Sequence, residues 1–184
     1  MIMPRGKNRT LQDIQTFIRK RLPAKLRGDL EGLRIVKEAD VECAAYHHLR
    51  RYTGEDPRWR VLARKHVPVT GHFVDLLIFK NYEPAIALEL KWGRTEISEK
   101  DRRSLLGALK KLGVHKAYWL SAVSSDNRGE PLFRERLEGH VLHQIVVRVG
   151  FTGARLEAWK RHRRLFRSEM AIGRGRRVVR SAAT

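Results

Sequence analysis

Two alternating runs, residues 73–79 and 85–92, flank a five-residue connection containing Asn81 and Pro84. No other feature constrains the fold of this chain as strongly. A period of two marks extended strands, and a short connection makes them a β-hairpin. Val74, Leu76 and Ile78 on one strand, with Ile86, Leu88 and Leu90 on the other, form one wholly apolar face. The opposite face carries Asp75, Glu89 and Lys91 among Phe73, Leu77, Phe79, Ala85 and Ala87. With Lys80–Pro84 as the loop, centred on Tyr82, paired positions sum to 164, which sets Asp75 opposite Glu89. Carboxylates facing each other across strands, Cβ atoms about 5 Å apart, repel. Desolvation of the pair raises the pKa of one of them. A divalent cation between them removes the conflict, and Mg²⁺ takes one or two carboxylates with water and phosphate oxygens. Lys91 is placed to orient a water beside such an ion. The trio could instead form an ion-pair patch on an open sheet. However, Ala85-Ile-Ala-Leu88 is too apolar for an open edge, which favours a cleft at the end of a buried sheet.

The rest of the chain supplies helices around this hairpin. Thr10 with Asp13 opens a helix whose apolar positions Leu11, Ile14, Phe17, Ile18 and Leu22 run up to Pro23, expected to stop it. Residues 24–36 carry no clear period. Residues 37–53 form a helix with the stripe Val41, Ala45, Leu49 and Tyr52, closed by Gly54 and Pro57. A strand follows from Trp59, then a turn over Pro68–Gly71, then the hairpin. Ser98 with Asp101 opens a helix bearing Leu105, Leu106, Leu109 and Leu112, stopped at Gly113. Residues 117–123 read as a strand, 131–139 as a short helix, 141–149 as a strand and 154–170 as a last helix with Leu156, Trp159 and Phe166 on its stripe. The expected fold class is α/β: a mixed central sheet built as helix, three strands, helix, strand, flanked by helices and carrying basic terminal extensions. The expected organisation is a basic arm and helix over 1–36, a core over 37–150 and a basic helix and tail over 151–184.

Charge narrows the partners. The 184 residues carry 39 Lys and Arg against 20 Asp and Glu, a net charge of +19. Residues 1–30 hold +6 of it and residues 151–184 hold +8, so the core is nearly balanced and the ends are not. Such a surplus favours a polyanionic partner, nucleic acid ahead of anionic lipid, and argues against cationic substrates. The single cysteine, Cys43, excludes an internal disulfide and reads as a small buried hydrophobe in a reducing compartment. No apolar run reaches the length of a membrane span, and the first ten residues lack the apolar region of a secretory signal. The expected location is cytoplasmic, without membrane partners.

Gly71-His-Phe-Val-Asp75, thirteen intervening residues and Glu89-Leu-Lys91 together resemble the PD-(D/E)XK nuclease superfamily, which includes restriction endonucleases and Holliday junction resolvases. The resemblance covers about residues 38–123 and matches the order of elements as well as the motif. It implies a restriction endonuclease-like core and a metal-dependent endonuclease that hydrolyses phosphodiesters, with DNA ahead of RNA. The implied cofactor is Mg²⁺ or Mn²⁺, and a homodimer is compatible. By the same resemblance Asp75, Glu89 and the backbone carbonyl of Leu90 hold the metal, and Lys91 acts at the attacking water. A helix carboxylate completes the set. Glu42 is favoured over Glu38, because apolar or small residues follow it at the spacing of the resolvase-like pattern. Residue 74 is Val where the family name has Pro. The following helix lacks the Gln of several branches and carries Lys100, Arg102 and Arg103, assigned to phosphate contacts. Arg161, Arg164, Arg167, Arg174, Arg176 and Arg177 extend that basic surface through the last helix and tail. The competing reading is a non-catalytic basic nucleic-acid-binding protein, architectural or ribosome-associated.

Overall fold

The computed structural model describes residues 8–54, 56–67, 72–125, 133–137, 140–151, 153–161 and 164. At 65–67, 72, 125, 133–137, 140 and 141 only the backbone is described. The chain is α/β, a six-stranded mixed sheet between helices. Helix α1 (Leu11–Thr16) starts at Thr10, whose hydroxyl accepts from the Asp13 N–H while the Asp13 carboxylate accepts from the Thr10 N–H, a reciprocal cap. Pro23 does not stop the helix as expected. A π-turn over Phe17–Arg21 leads straight into α2 (Leu22–Glu31), with Pro23 in its first turn. Proline lacks an N–H and its ring crowds the carbonyl four residues back, and the wider turn just before it relieves both. The unassigned stretch 24–36 is therefore mostly helix. Asn8 and Arg9 are anchored too: Arg58 donates to the Asn8 side chain at 3.2 Å and the Trp59 indole to the Arg9 carbonyl at 3.1 Å.

Helix α3 (Glu38–Thr53) buries Val41, Ala45 and Leu49, and Tyr52 stacks on Phe17 at 3.9 Å. It ends at Gly54, whose φ of 65° favours glycine. Cys43, expected inside, is exposed, because it lies off the buried stripe. The strands are β1 (Trp59–Val67), β2 (His72–Lys80), β3 (Glu83–Trp92), β4 (Lys116–Ser125), β5 (Phe133–Leu137) and β6 (His140–Gly150), with α4 (Glu99–Lys111) between β3 and β4. Their order across the sheet is β1-β2-β3-β4-β6-β5. The first three are antiparallel neighbours, β3–β4 and β4–β6 are parallel, and β5 returns antiparallel on β6. The helix expected near 131–139 is thus a strand at its centre. Phe133-Arg-Glu-Arg-Leu137 is too short to hold a helix against an available ladder on β6.

The hairpin keeps the expected register by a different route. Its turn is only Asn81-Tyr82, both at positive φ, and Lys80 pairs with Glu83 rather than lying in a loop. Pairing shifts between Phe79↔Pro84 and Ile78↔Ile86, so Ala85 is an extra residue on β3. Beyond that bulge Ile78↔Ile86, Leu77↔Ala87 and Leu76↔Leu88 follow the expected sum.

Strand alternation then divides the core. Leu76, Ile78, Ile86, Leu88 and Leu90 join Tyr118, Leu120, Ile145 and Val147 against Ile14, Phe17, Leu26 and Leu30 of the first helices. Leu77, Ala87, Trp119 and Val146 face Leu105, Ala108 and Leu109 of α4. Two expected placements change. Ala85 crosses to the first face through the bulge, and Val74 packs on the α4 face. The β1–β2 ladder skips from Ala63↔Leu76 to Lys65↔Val74, with Arg64 at φ 48°, so alternation is interrupted at Asp75. The first helices share one core with the sheet. Residues 153–161 are helical and dock by Leu156 and Trp159; Phe166 lies outside the described residues. Among the described residues no helix is long and apolar enough to cross a membrane.

Leu88 is fully buried at the centre of the sheet. Leu88→Ala is expected to cost about 2–5 kcal/mol, read from the denaturant midpoint. Glu83→Gln at the exposed hairpin end should change stability by no more than about 0.5 kcal/mol.

Candidate active site

The site forms where β3 leaves the core. Gly93, at φ 71°, turns the chain out of the sheet and donates to the Ala122 carbonyl at 2.8 Å, which fixes the end of the strand. Just before this turn, Glu89 and Lys91 are buried. The Lys91 ammonium lies 2.6 Å from Glu89 Oε1, 3.4 Å from Glu38 Oε1, 3.7 Å from Asp75 Oδ2 and 3.8 Å from Asp101 Oδ1. Four carboxylates from β2, β3, α3 and α4 thus converge on one cation.

Asp75 and Glu89 are brought together, but not as an ordinary ladder pair. The ladder stops at Leu76↔Leu88, and Asp75 Oδ2 instead accepts from the Leu90 N–H at 2.7 Å. That bond secures the peptide of β3 beside the two carboxylates. Burial pushes the Asp75 carboxyl up to about 6, against the opposing pull of the Leu90 N–H and Lys91. Burial, then the neighbouring Asp75 charge, pushes Glu89 up to about 7. Burial works against the Lys91 charge, but the bond to Glu89 and the charges of Glu89, Asp75 and Asp101 outweigh it, so its pKa is raised. At neutral pH Lys91 is an ammonium.

The two helix carboxylates take different partners. Glu38, not Glu42, touches Lys91. Glu42 binds Arg64, with Oε2 3.2 Å from its Nε. Both add to the negative potential at Asp75. Of the expected phosphate-binding residues, Lys100 and Arg103 are exposed on α4 and Arg102 is half-buried. Arg103 lies 3.7 Å from Glu99. Arg161 and Arg164 are exposed on the last helical segment. Arg167, Arg174, Arg176 and Arg177 lie outside the described residues.

Two site residues escaped the sequence reading. Asp101 is buried, with Oδ2 accepting from the Trp119 indole at 3.4 Å and Oδ1 facing Lys91. Its backbone N–H also donates to the Ser98 hydroxyl, so its position in the helix cap already accounted for it. Arg64 had no signal beyond its charge, because its role depends on the irregular pairing of β1. A separate cavity of about 410 Å³ between α2 and α3 is lined by Asp29, Arg34, Asp40, Cys43, Ala44, His47 and His48. Asp29 there already binds His48 at 2.7 Å and Arg34 at 2.8 Å.

The donor set suits a hard divalent cation. It offers only oxygen, and Glu89 Oε2 is buried with no hydrogen-bond partner. Among the described residues no three His, Cys, Asp or Glu side chains already form a metal cage; the carboxylates converge on Lys91 instead.

The raised carboxyl pKa values set a pH dependence. The ordinary values are 3.8 for Asp75 and 4.5 for Glu89. The folded protein therefore holds more protons than the unfolded chain between about pH 4 and pH 7, and this site's contribution to stability falls as pH rises through that window. In EDTA, Glu89→Gln should melt above wild type at pH 8, by about 2–4 °C for each kcal/mol relieved, and the gap should shrink near pH 4.5. A variant that melts lower at pH 8 would mean that the Lys91–Glu89 ion pair outweighs the repulsion.

No family model matches this chain, and no curated protein matches it. Among solved structures, it is similar to a chain of the half-complex from the tetradecameric assembly of Thermococcus gammatolerans McrB AAA+ hexamers with bound McrC, at 20% identity and a TM-score of 0.44. That likeness covers 71% of this chain and 33% of the other, so this chain spans about a third of its length, and at that score it carries no argument about fold or function.

Proposed function

We propose that this protein is a Mg²⁺-dependent nuclease that hydrolyses phosphodiester bonds of nucleic acid, DNA ahead of RNA, on a restriction endonuclease-like core. The observation that carries the reading is the convergence of Asp75, Glu89 and Lys91 at the exit of β3, with Glu89 Oε2 buried and unpartnered. Asp75, Glu89 and the Leu90 carbonyl would hold the ion, with Glu38 or Glu42 completing the set. When bound, Mg²⁺ or Mn²⁺ supplies Lewis acidity at a phosphoryl oxygen and lowers the pKa of a coordinated water.

The chain's own groups do the remainder. Asp75 keeps the β3 peptide in place through the Leu90 N–H. Lys91 stays protonated, so it orients a water by donating to it and offsets charge gathering at phosphorus; it does not abstract a proton at neutral pH. Asp101 and Glu89 hold its ammonium in the cleft. Exposed Lys100 and Arg103 lie on the same helix as Asp101, where they can meet flanking phosphates. The excess positive charge draws the polyanion to a site whose own charge is negative, so a cation must accompany or precede the substrate.

Lys91→Ala should lower single-turnover cleavage by about 10²–10⁴-fold and leave affinity for the same labelled duplex nearly unchanged, because its value lies in the transition state. Lys91→Arg should not rescue the rate, since a guanidinium is broader and differently shaped. Absence of metal-dependent cleavage by wild type on single-stranded, duplex and branched DNA and RNA would leave the non-catalytic binding reading in its place.

Removing residues 171–184 deletes four arginines. It should weaken binding to all nucleic acids alike and reduce the log–log salt slope by up to about 3.6 on duplex. An unchanged slope would assign the tail to a protein partner.

A further inference from the structure

Among the described residues, Arg64 is the one non-glycine residue at positive φ inside a strand; Leu33, Asn81 and Tyr82 lie in turns. An L side chain crowds its own backbone there, so the conformation costs free energy and needs a reason to persist. It coincides with the place where the β1–β2 ladder skips a rung. Ala63↔Leu76 and Lys65↔Val74 keep one register on either side, so no residue is inserted, and the missing pair is Arg64 with Asp75. What the irregular backbone accompanies is the placement of one guanidinium. Arg64 Nε donates to Glu42 Oε2 at 3.2 Å and Nη2 to Oε1 at 3.5 Å. The charges of Asp75 and Glu38 act on the same guanidinium. The carboxylate cluster therefore has two cations of different kinds. Lys91 is inside it, with a side chain 11% exposed and 2.6 Å from buried Glu89. Arg64 stands at its rim, with a side chain 70% exposed.

We infer that Arg64 is a phosphate-binding residue of the candidate active site, held ready by Glu42 until the phosphodiester of the substrate takes its guanidinium over. This inference rests on the nuclease reading of the same site. An ion pair with one partner so open to water is weak and is given up at little cost. A guanidinium fork fits two phosphate oxygens as well as two carboxylate oxygens, so Glu42 and the phosphate are alternatives for one donor set. Lys91 is unsuited to this exchange, because drawing its ammonium to the rim would leave buried Glu89 without its cation. The two cations then divide the work. Lys91 serves the water, and Arg64 offsets charge on the phosphoryl oxygens as it grows in the transition state.

The test uses the full-length protein as wild type, Arg64→Ala, Arg64→Lys, Glu42→Gln and the Arg64→Ala/Glu42→Gln double variant. Binding of a labelled duplex is measured in Ca²⁺ across a salt series, and single-turnover cleavage of the same duplex in Mg²⁺. Arg64→Ala should reduce the log–log salt slope by about 0.9, one phosphate contact. It should also slow cleavage by about 10²–10³-fold. Arg64→Lys keeps the charge without the fork, so it should recover the slope and only part of the rate. Glu42→Gln removes the competitor and should tighten binding about two- to fivefold, a gain that Arg64→Ala abolishes. An unchanged slope in Arg64→Ala, or an equal effect of Glu42→Gln with and without Arg64, would overturn the inference even if Mg²⁺-dependent cleavage is normal; the pair would then only brace α3 against β1. A slope and a Glu42 coupling that depend on Arg64, in a protein that cleaves nothing, would uphold the phosphate contact and overturn the nuclease reading alone.

Discussion

β3 is buried on both faces from Ala85 to Lys91, and the rest of the fold follows from that burial. A strand with no solvent face needs cover on each side. The helices α1, α2 and α3 supply it on one side and α4 on the other. The parallel partner β4 requires a crossover, which is α4, and that connection carries Asp101 to the end of β3. The same layering leaves the end of β3 as the place where several elements can present polar groups to one point.

At that point the polar groups are in tension with the core around them. Burial holds the Asp75 and Glu89 carboxyls above their ordinary range, and the single ammonium of Lys91 at 2.6–3.7 Å offsets that only in part. A buried ion pair of this kind is weak evidence for stability, because desolvation offsets much of the attraction. Hydrophobic residues would pack the cleft more cheaply. Retention of the charged set at a cost to the fold fits a functional site better than a structural one.

The molecule also separates its charges. A strong positive surplus lies toward the ends of the sequence, while the cleft gathers acids. A polyanion approaching such a surface is attracted at long range and repelled at short range unless a cation intervenes. Under the proposed function this arrangement makes binding broad and chemistry conditional on metal.

Much of this was legible in residues alone, because period, charge and turn chemistry are local properties. The strands of the hairpin, the capped helix after Ser98, the register that brings Asp75 near Glu89 and the placing of Lys91 beside Glu89 all came from spacing. Local pattern failed where neighbours decided. Pro23 reads as a stop until a π-turn accommodates it. Phe133–Leu137 becomes a strand because β6 offers it a ladder. Cys43 is exposed because the packed stripe of α3 runs past it. Val74 changes face because pairing with β1 breaks at Arg64. The choice of Glu38 over Glu42 as the partner of Lys91, and the arrival of Asp101 from α4, depend on how helices sit against the end of a strand far away in sequence. The sequence by itself determined which groups were available and on which side of a strand most of them lay. Tertiary packing decided which met, because only the docking of helices against the end of the sheet brings carboxylates from four elements within ion-pair distance of one lysine.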